Sequence, residues 1–455
     1  MKKLNIALAV GATLLAGCGT LNSQTSAVSP MDVKIATYNL SFDRATFQEL
    51  VAEMQIPPAQ QTKLVTGYLA NVLSPADRKA AKKVIQIRNV AAIIQKNRPD
   101  VLMMAEFNND GTGKNKSALI GFQNNYLSVG QSLQGAGGEA SLSPIEYPFF
   151  ESYSTNTGLV SELDLDNNGV AGQLPGDAWG FGFYHGQYAF ALMSKYPIDT
   201  DNTRTFQQFK WKDLPGASIP KITKCHDPYN KIPQGMACGD DWYSAKEWQQ
   251  IRLSSKNHVD APIIVPTANG DQVIHLLMSH PTPPVFDTGK NQMQNAAEVE
   301  FWHHYVQDAD FFYDDAGKQG GLDKGQHFVI MGDLNLDPVA GDGLSNVMQA
   351  LHSDPLLNQN VMNGSLYPTS EGAIEHIESS GKSHPQPERV TSTFGLGVDY
   401  AMPSATLNVV DSGVYWVTSQ QEGYSLFNDQ RVGKYGNGKD VSSDHRMIWI
   451  KASLD

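Results

Sequence analysis

The tightest constraint on this chain is a unit that recurs along it: a short apolar run closed by a residue able to bind a cation or move a proton. In "VIMGDLNLDP" (329–338) an apolar run meets Gly332, and Asp333 and Asn335 follow, two apart. Short apolar runs read as buried strands. A carboxylate or amide at the end of one sits outside the core, where a ligand reaches it. Side chains at i and i+2 of an extended chain share a face. A strand followed by an Asx-rich turn carries the same letters, so this stretch alone leaves both readings open.

The unit repeats. "VKIATYNL" (33–40) reads as a buried strand ending at Asn39. In "VIQIRNVAAIIQKNRPDVLMMAEF", Val84, Ile87, Ala91 and Ile94 recur at helical spacing and Pro99 stops the helix. "VLMMA" then delivers Glu106. "YAFALMSKYPI" (188–198) is a further strand and turn. "QVIHLLMSH" (272–280) ends at His280, and "NQMQNAAEVEFWHHYVQD" suits a helix. "STFGLGVDYAMP" carries Asp399, and "SSDHRMIWIKA" carries Asp444 and His445. Chance places one such residue at a strand end; six strand ends make a pattern. Helices fall between some strands and not others, which predicts α/β layers around packed sheets. Residues 44–83 read as polar helix broken by "IPPAQQ". Residues 107–178 read as a Gly/Ser/Asn-rich insertion, and 199–250 as a second one holding two cysteines and three of the seven tryptophans. The segments 40–83, 107–178 and 199–260 are expected to form a lid.

The N-terminus, "MKKLNIALAVGATLLAGCGT", has two lysines and an apolar stretch too short to span a bilayer comfortably. Its "LAGC" resembles the bacterial lipobox. That resemblance implies a signal peptide over 1–17, lipid on Cys18 and a tether over 18–31, with the remaining 32–455 forming one elaborated domain. Gly19 in place of Asp favours the outer membrane by the same resemblance. The body is then exported and touches the membrane through its acyl chains only. In an exported protein Cys225 and Cys238 most simply form a disulfide.

The net charge is −13, and loss of Lys2 and Lys3 with the signal peptide makes it −15. An acidic surface repels polyanions at long range, and no Lys/Arg track for a nucleic-acid backbone is visible. A small phosphoester remains compatible, because a bound metal inverts the local sign.

Asn39, Glu106, His280, Asp333, Asn335, Asp399, Asp444 and His445 are therefore the candidate site. Carboxylates and histidines without a cysteine ligand point to a hard cation such as Mg²⁺, Mn²⁺ or Ca²⁺. Amides donate to phosphate oxygens without adding charge. An Asp beside a His orients the ring and raises its basicity.

The pieces "ATYNL", "RPDVLMMAEF", "YAFALMSKYPI", "LLMSHP", "GDLNLDP", "GVDYAM" and "SSDHRM" resemble, in order, the endonuclease/exonuclease/phosphatase superfamily. That superfamily includes pancreatic-type DNase, abasic-site endonucleases, neutral sphingomyelinases and inositol-polyphosphate phosphatases. The resemblance implies a four-layer α/β sandwich with the site at one edge of two packed sheets. It implies that Glu106 binds metal, Asn39 helps hold metal or phosphate, and Asp444 is a second ligand. Asp333 would position or deprotonate the attacking water, and Asn335 would orient the phosphate. His445, partnered by Asp399, would contact phosphate and transfer protons. His280 would stabilise or protonate the leaving oxygen. Two departures stand out. Ser41 occupies a position where some members carry an acid, with Asp43 nearby but out of step, so a one-metal site centred on Glu106 is expected. His280 has no carboxylate partner identifiable from spacing.

Weaker signals remain. Asp164, Asp166 and Asn168 in "DLDNNG" open like an EF-hand loop, but Pro175 stands where its last ligand would be; a structural calcium and an ordinary Asx-rich loop both fit. His185 and Gln187 precede a strand of the resemblance. "RLSSKNH" offers Arg252, Lys256 and His258 either as phosphate grips or as a solvated strand. The expected function is a metal-dependent phosphodiesterase or phosphatase, favouring small phosphoesters over nucleic acid and needing no obligate protein partner. An extracellular nuclease and a non-catalytic surface binding protein are the alternatives.

Overall fold

Two mixed β-sheets pack face to face, and their chemistry-bearing ends meet at one edge. The computed structural model describes residues 31–433 and 438–454. The expected signal peptide, Cys18 and all but the last residue of the expected tether lie outside the described residues; Met31 already opens the first strand.

One sheet contains β1 (Met31–Phe42), β2 (Val101–Phe107), β3 (Phe149–Ser152), β4 (Ala191–Ser194), β10 (Asn408–Val414) and β11 (Ile448–Leu454), ordered β10-β11-β1-β2-β4-β3. The other contains β5 (Arg204–Thr205), β6 (His258–Thr267), β7 (Gly270–Ser279), β8 (His327–Asp333) and β9 (Asp399–Pro403), in that order. The period of two in β1 divides its side chains between two cores. Val33 and Ile35 pack with Met278, Val329 and Met331. Ala36, Tyr38, Leu40 and Phe42 pack beneath the helix Pro75–Asn97 through its Ile87, Val90 and Ile94. That helix starts where Ser74 Oγ accepts from Asp77 N at 3.2 Å and Pro75 fills its first turn, and it ends at the left-handed Arg98. The helix Lys290–Tyr305 lays Val299, Phe301 and Trp302 against the second sheet. The result is the four-layer α/β sandwich expected from the resemblance. Thr37, next on the inward face of β1, donates to Tyr400 O at 2.7 Å and ties the sheets together.

Strand direction corrects one expectation. β2 runs parallel to β1 and β8 parallel to β7, whereas β9 opposes β8 and β11 opposes β1. Asp399 therefore opens its strand, and Asp444 and His445 precede theirs. The start of an antiparallel strand shares an edge with the ends of its neighbours, so these residues still arrive with the rest.

The stretch 199–260 is not a lid. Phe206, Phe209, Trp211, Trp242 and Trp248 are buried in the core of the second sheet, and β6 is one of its inner strands. Cys225 and Cys238 form a disulfide across a loop of this region. His258 is no phosphate grip either. It is fully buried, with Nδ1 on Ser254 Oγ at 2.5 Å, Nε2 on Glu298 O at 2.8 Å, and its ring 4.4 Å from that of Phe301.

Burial pushes His258 down to about 3. An unfolded imidazole titrates near ~6.5, so below that pH the unfolded chain binds a proton that the folded chain refuses. The stability His258 contributes is present above ~6.5 and is lost as pH falls toward its folded value, by about 1.4 kcal/mol per pH unit. His258→Gln removes this linkage. Urea unfolding across roughly pH 6.5 to 4.5 is expected to show a slope shallower by about one proton; an unchanged slope contradicts the assignment.

Candidate active site

The end of β8 is set by a close approach. At Gly332 φ is 152°, and a Cβ there would lie 1.9 Å from Ser279 O. No other residue lets β8 pass the end of β7 at that distance. Asp333 follows and pairs in register with Asp399 on β9. The chain then turns: Asn335 has φ 53°, and its N–H donates to Asp333 Oδ1 at 3.0 Å. The Asx turn and the ligand-facing end are thus one structure. Asn335 Nδ2 donates to Pro281 O at 3.1 Å.

His445 answers the charge of the paired aspartates. Its Nδ1 is 2.9 Å from Asp399 Oδ2, which also accepts from Thr391 Oγ1 at 2.7 Å. Its Nε2 is 3.7 Å from Asp333 Oδ2. Burial acts to lower the His445 pKa, but Asp399 and then Asp333 override it and raise it to about 10. This ring is an imidazolium at neutral pH. His280 Nε2 lies 3.6 Å from the same Asp333 oxygen. Burial, with Lys256 and His445 nearby, holds His280 well below its ordinary value, so it is neutral. Asn39 Nδ2 donates to Asp333 Oδ2 at 3.0 Å. Burial also drives Asp333 upward; Asp399 and Glu106 reinforce the shift, while His445 and Asn39 oppose it.

Beside this group lies an acidic cage. Asn39 Nδ2 also reaches Glu106 Oε1, at 3.3 Å. A bulge in β1, where the register shifts between Asn39 and Phe42, gives Ser41 a φ of 53° and re-aims the chain beyond it. Asp43 therefore joins the site despite its spacing. Lys439 Nζ sits 3.6 Å from Asp43 Oδ1, 3.6 Å from Glu106 Oε2 and 3.8 Å from Asp444 Oδ2. Ser41 Oγ donates to Asp444 Oδ1 and meets Ser443 Oγ. The donor set is all oxygen and already surrounds a cation. Glu106 Oε2 is buried without a hydrogen bond, so its lone pairs remain open to a cation. The cage fits a hard divalent cation.

Ser41, Glu106, Tyr188 and Asn335 all have φ between 53° and 58°. Left-handed backbone at such residues costs on the order of 1–3 kcal/mol each. Three of the four are hydrogen-bonded or ion-paired within the site, and Tyr188 adjoins it. At Glu106 the twist is what turns a side chain that alternation assigns to the helix-facing side toward Asn39.

All eight candidate residues come together. Asp164 and Asp166 lie in another loop, where their carboxylates gather with that of Asp177 and both accept from the Asn168 N–H. The Asn168 amide donates to Asp166 Oδ2, and its carbonyl accepts from Val170 N. His185 bonds Thr155 O, and the Gln187 side-chain oxygen accepts from Phe183 N. Arg252 is held by Asn156 and stacks over Trp179. The sequence reading set Asp43 out of step because a bulge is invisible to period-two spacing, and it missed Lys439, whose one clue is its place just upstream of "SSDH".

The model of the Endonuclease/Exonuclease/phosphatase family matches residues 36–445. No curated protein matches the chain in sequence. Among solved structures, an endonuclease/exonuclease/phosphatase from Beutenbergia cavernae is 14% identical over 93% of this chain and 72% of its own, with a TM-score of 0.41. A family protein from Leptotrichia buccalis is 13% identical over 92% and 99%, at 0.38. One from Bacteroides vulgatus is 10% identical over 93% and 100%, at 0.39.

Gly332→Ala is expected to destabilise the fold by about 3 kcal/mol, because the added methyl meets backbone that cannot yield. Urea unfolding checks this, and a cost under about 0.5 kcal/mol contradicts the close approach.

Proposed function

The chain belongs to the endonuclease/exonuclease/phosphatase family, and on that premise we propose that it hydrolyses phosphoester bonds by attack of water on phosphorus. Members of this family are usually metal-dependent phosphoester hydrolases. The observation that carries the reading for this chain is the convergence on Asp333 Oδ2. Asn39 donates to it, and the Nε2 atoms of His280 and His445 both lie within 3.7 Å.

The roles follow from that geometry. Asp333 is the group placed to orient water and accept its proton. Asn335 holds a phosphoryl oxygen. His445, kept charged by Asp399, faces the developing negative charge and is the proton donor of the site. His280 is neutral and donates a hydrogen bond rather than a proton. Glu106 and Asp444, with Asp43 and Asn39 beside them, would hold a divalent cation, Mg²⁺ or Mn²⁺ before Ca²⁺, which would polarise the phosphoryl oxygen.

A small phosphoester is favoured over nucleic acid by the net charge of −13. The "LAGC" segment supports export and lipid anchoring at Cys18, with the hydrolase body held at the cell surface. No helix among the described residues is long and apolar enough to cross a membrane.

The test uses protein lacking residues 1–18, offered a chromogenic phosphomonoester, a chromogenic phosphodiester and plasmid DNA, with and without chelator. Turnover of a small ester that chelator abolishes is expected, and His445→Ala is expected to lower kcat about 100-fold or more. Rapid plasmid nicking would replace the small-ester reading with a nuclease. Absence of turnover on every ester with metal supplied would leave a binding protein.

A further inference from the structure

The floor of the site holds a cation that no carboxylate neutralises. Lys256, two residues before β6, is only 6% exposed. Its Nζ donates to Pro281 O at 3.3 Å, and the same carbonyl accepts Asn335 Nδ2 at 3.1 Å. The ammonium and the phosphate-orienting amide are therefore neighbours on one oxygen. Among the described residues no carboxylate lies within ion-pair reach of Nζ. Glu298, the leading electrostatic partner of Lys256, is otherwise occupied: Oε1 accepts from Ser255 N and Oγ, and Oε2 from Thr282 N. One hydrogen bond leaves two ammonium N–H groups unused in a buried place.

The frame around Lys256 is rigid. Its carbonyl accepts from Asn156 N at 2.8 Å. Asn257 donates to Ser154 O and accepts from Phe206 N, and His258 is locked in the core. The ammonium is presented by fixed backbone and not by a solvated stem. Burying a charge with one neutral partner is unfavourable, and an anion drawn to it offsets that cost. Burial lowers the Lys256 pKa, while Glu298, Asp333 and Glu106 act to keep it charged; the shared Pro281 carbonyl sets Nζ beside the Asn335 amide.

We propose that Lys256 is a substrate-binding residue, whose free N–H groups take a non-bridging oxygen of the phosphoryl group held by Asn335. The inference rests on the phosphoester reading. Lys256 transfers no proton. Its charge opposes the negative charge that grows on the equatorial oxygens as water attacks.

Inorganic phosphate is the probe, titrated calorimetrically into wild type, Lys256→Met and Lys256→Arg. Phosphate affinity is expected to fall about 10- to 100-fold in Lys256→Met, as for loss of a charge-assisted hydrogen bond, and to recover in part in Lys256→Arg. Thermal stability should hold or rise in the Met variant, since an unpaired buried charge is gone. A merely structural lysine gives the reverse: lost stability with unchanged phosphate affinity, which overturns the proposal. Should the Met variant fail to fold, wild-type crystals soaked in phosphate decide. An oxygen within hydrogen-bond distance of Nζ supports the role, and a phosphate seated on Asn335 out of reach of Nζ overturns it. Wild type that binds phosphate at Lys256 but turns over no ester refutes the hydrolase and leaves this contact standing. Turnover with unaltered phosphate affinity in Lys256→Met refutes the contact and leaves the hydrolase standing.

Discussion

The site depends on one electrostatic arrangement: two aspartates side by side on adjacent strands, with an imidazolium between them. Asp333 and Asp399 are register partners across β8 and β9. Like charges so placed repel, and both are buried. His445 relieves this from the opposite sheet, because it lies just before β11. The clamp therefore joins the sheets as well as the charges. Its loop is made stiff by Arg446, which donates to Ser443 O and His445 O and stacks over Trp416 and Phe427. Removing the imidazolium would leave two buried carboxylates competing for one proton.

From that clamp outward the site divides into two kinds of ground. On one side Asn39, His280 and His445 converge on Asp333, with Asn335 beside them. On the other Glu106, Asp444 and Asp43 gather around the Lys439 ammonium. Asn39 touches both, donating from one nitrogen to Asp333 and to Glu106. Backbone strain at Ser41, Glu106 and Asn335 aims these side chains where regular strands would not. A folded core of two sheets holds that strain in place.

Much of this was legible because buried strands announce themselves. The apolar runs behind Asn39, Glu106, His280 and Asp333 are strands of the predicted kind, and each ends at the site edge. Asp399 was assigned the right edge for an incomplete reason, since periodicity does not reveal strand direction. The β6 strand was passed over; "RLSSKNH" ends where that strand begins, and its polar residues are buried by specific partners, not by apolarity. The tryptophan-rich stretch 199–250 looked like an insertion because its aromatics lie scattered among turns; only the fold shows that they converge on the second sheet. Asp43 depended on a bulge, and Lys439 on a loop closing from the far end of the chain. Neither leaves a periodic trace.

The most direct test of the clamp is the ionisation of the His445 ring in metal-free protein, followed by nitrogen-15 NMR of labelled imidazole. The arrangement predicts both ring nitrogens protonated through neutral pH, a deshielded Nδ1 proton held by Asp399, and loss of that proton signal in Asp399→Asn. A ring that titrates at its ordinary value, indifferent to Asp399→Asn, would contradict it.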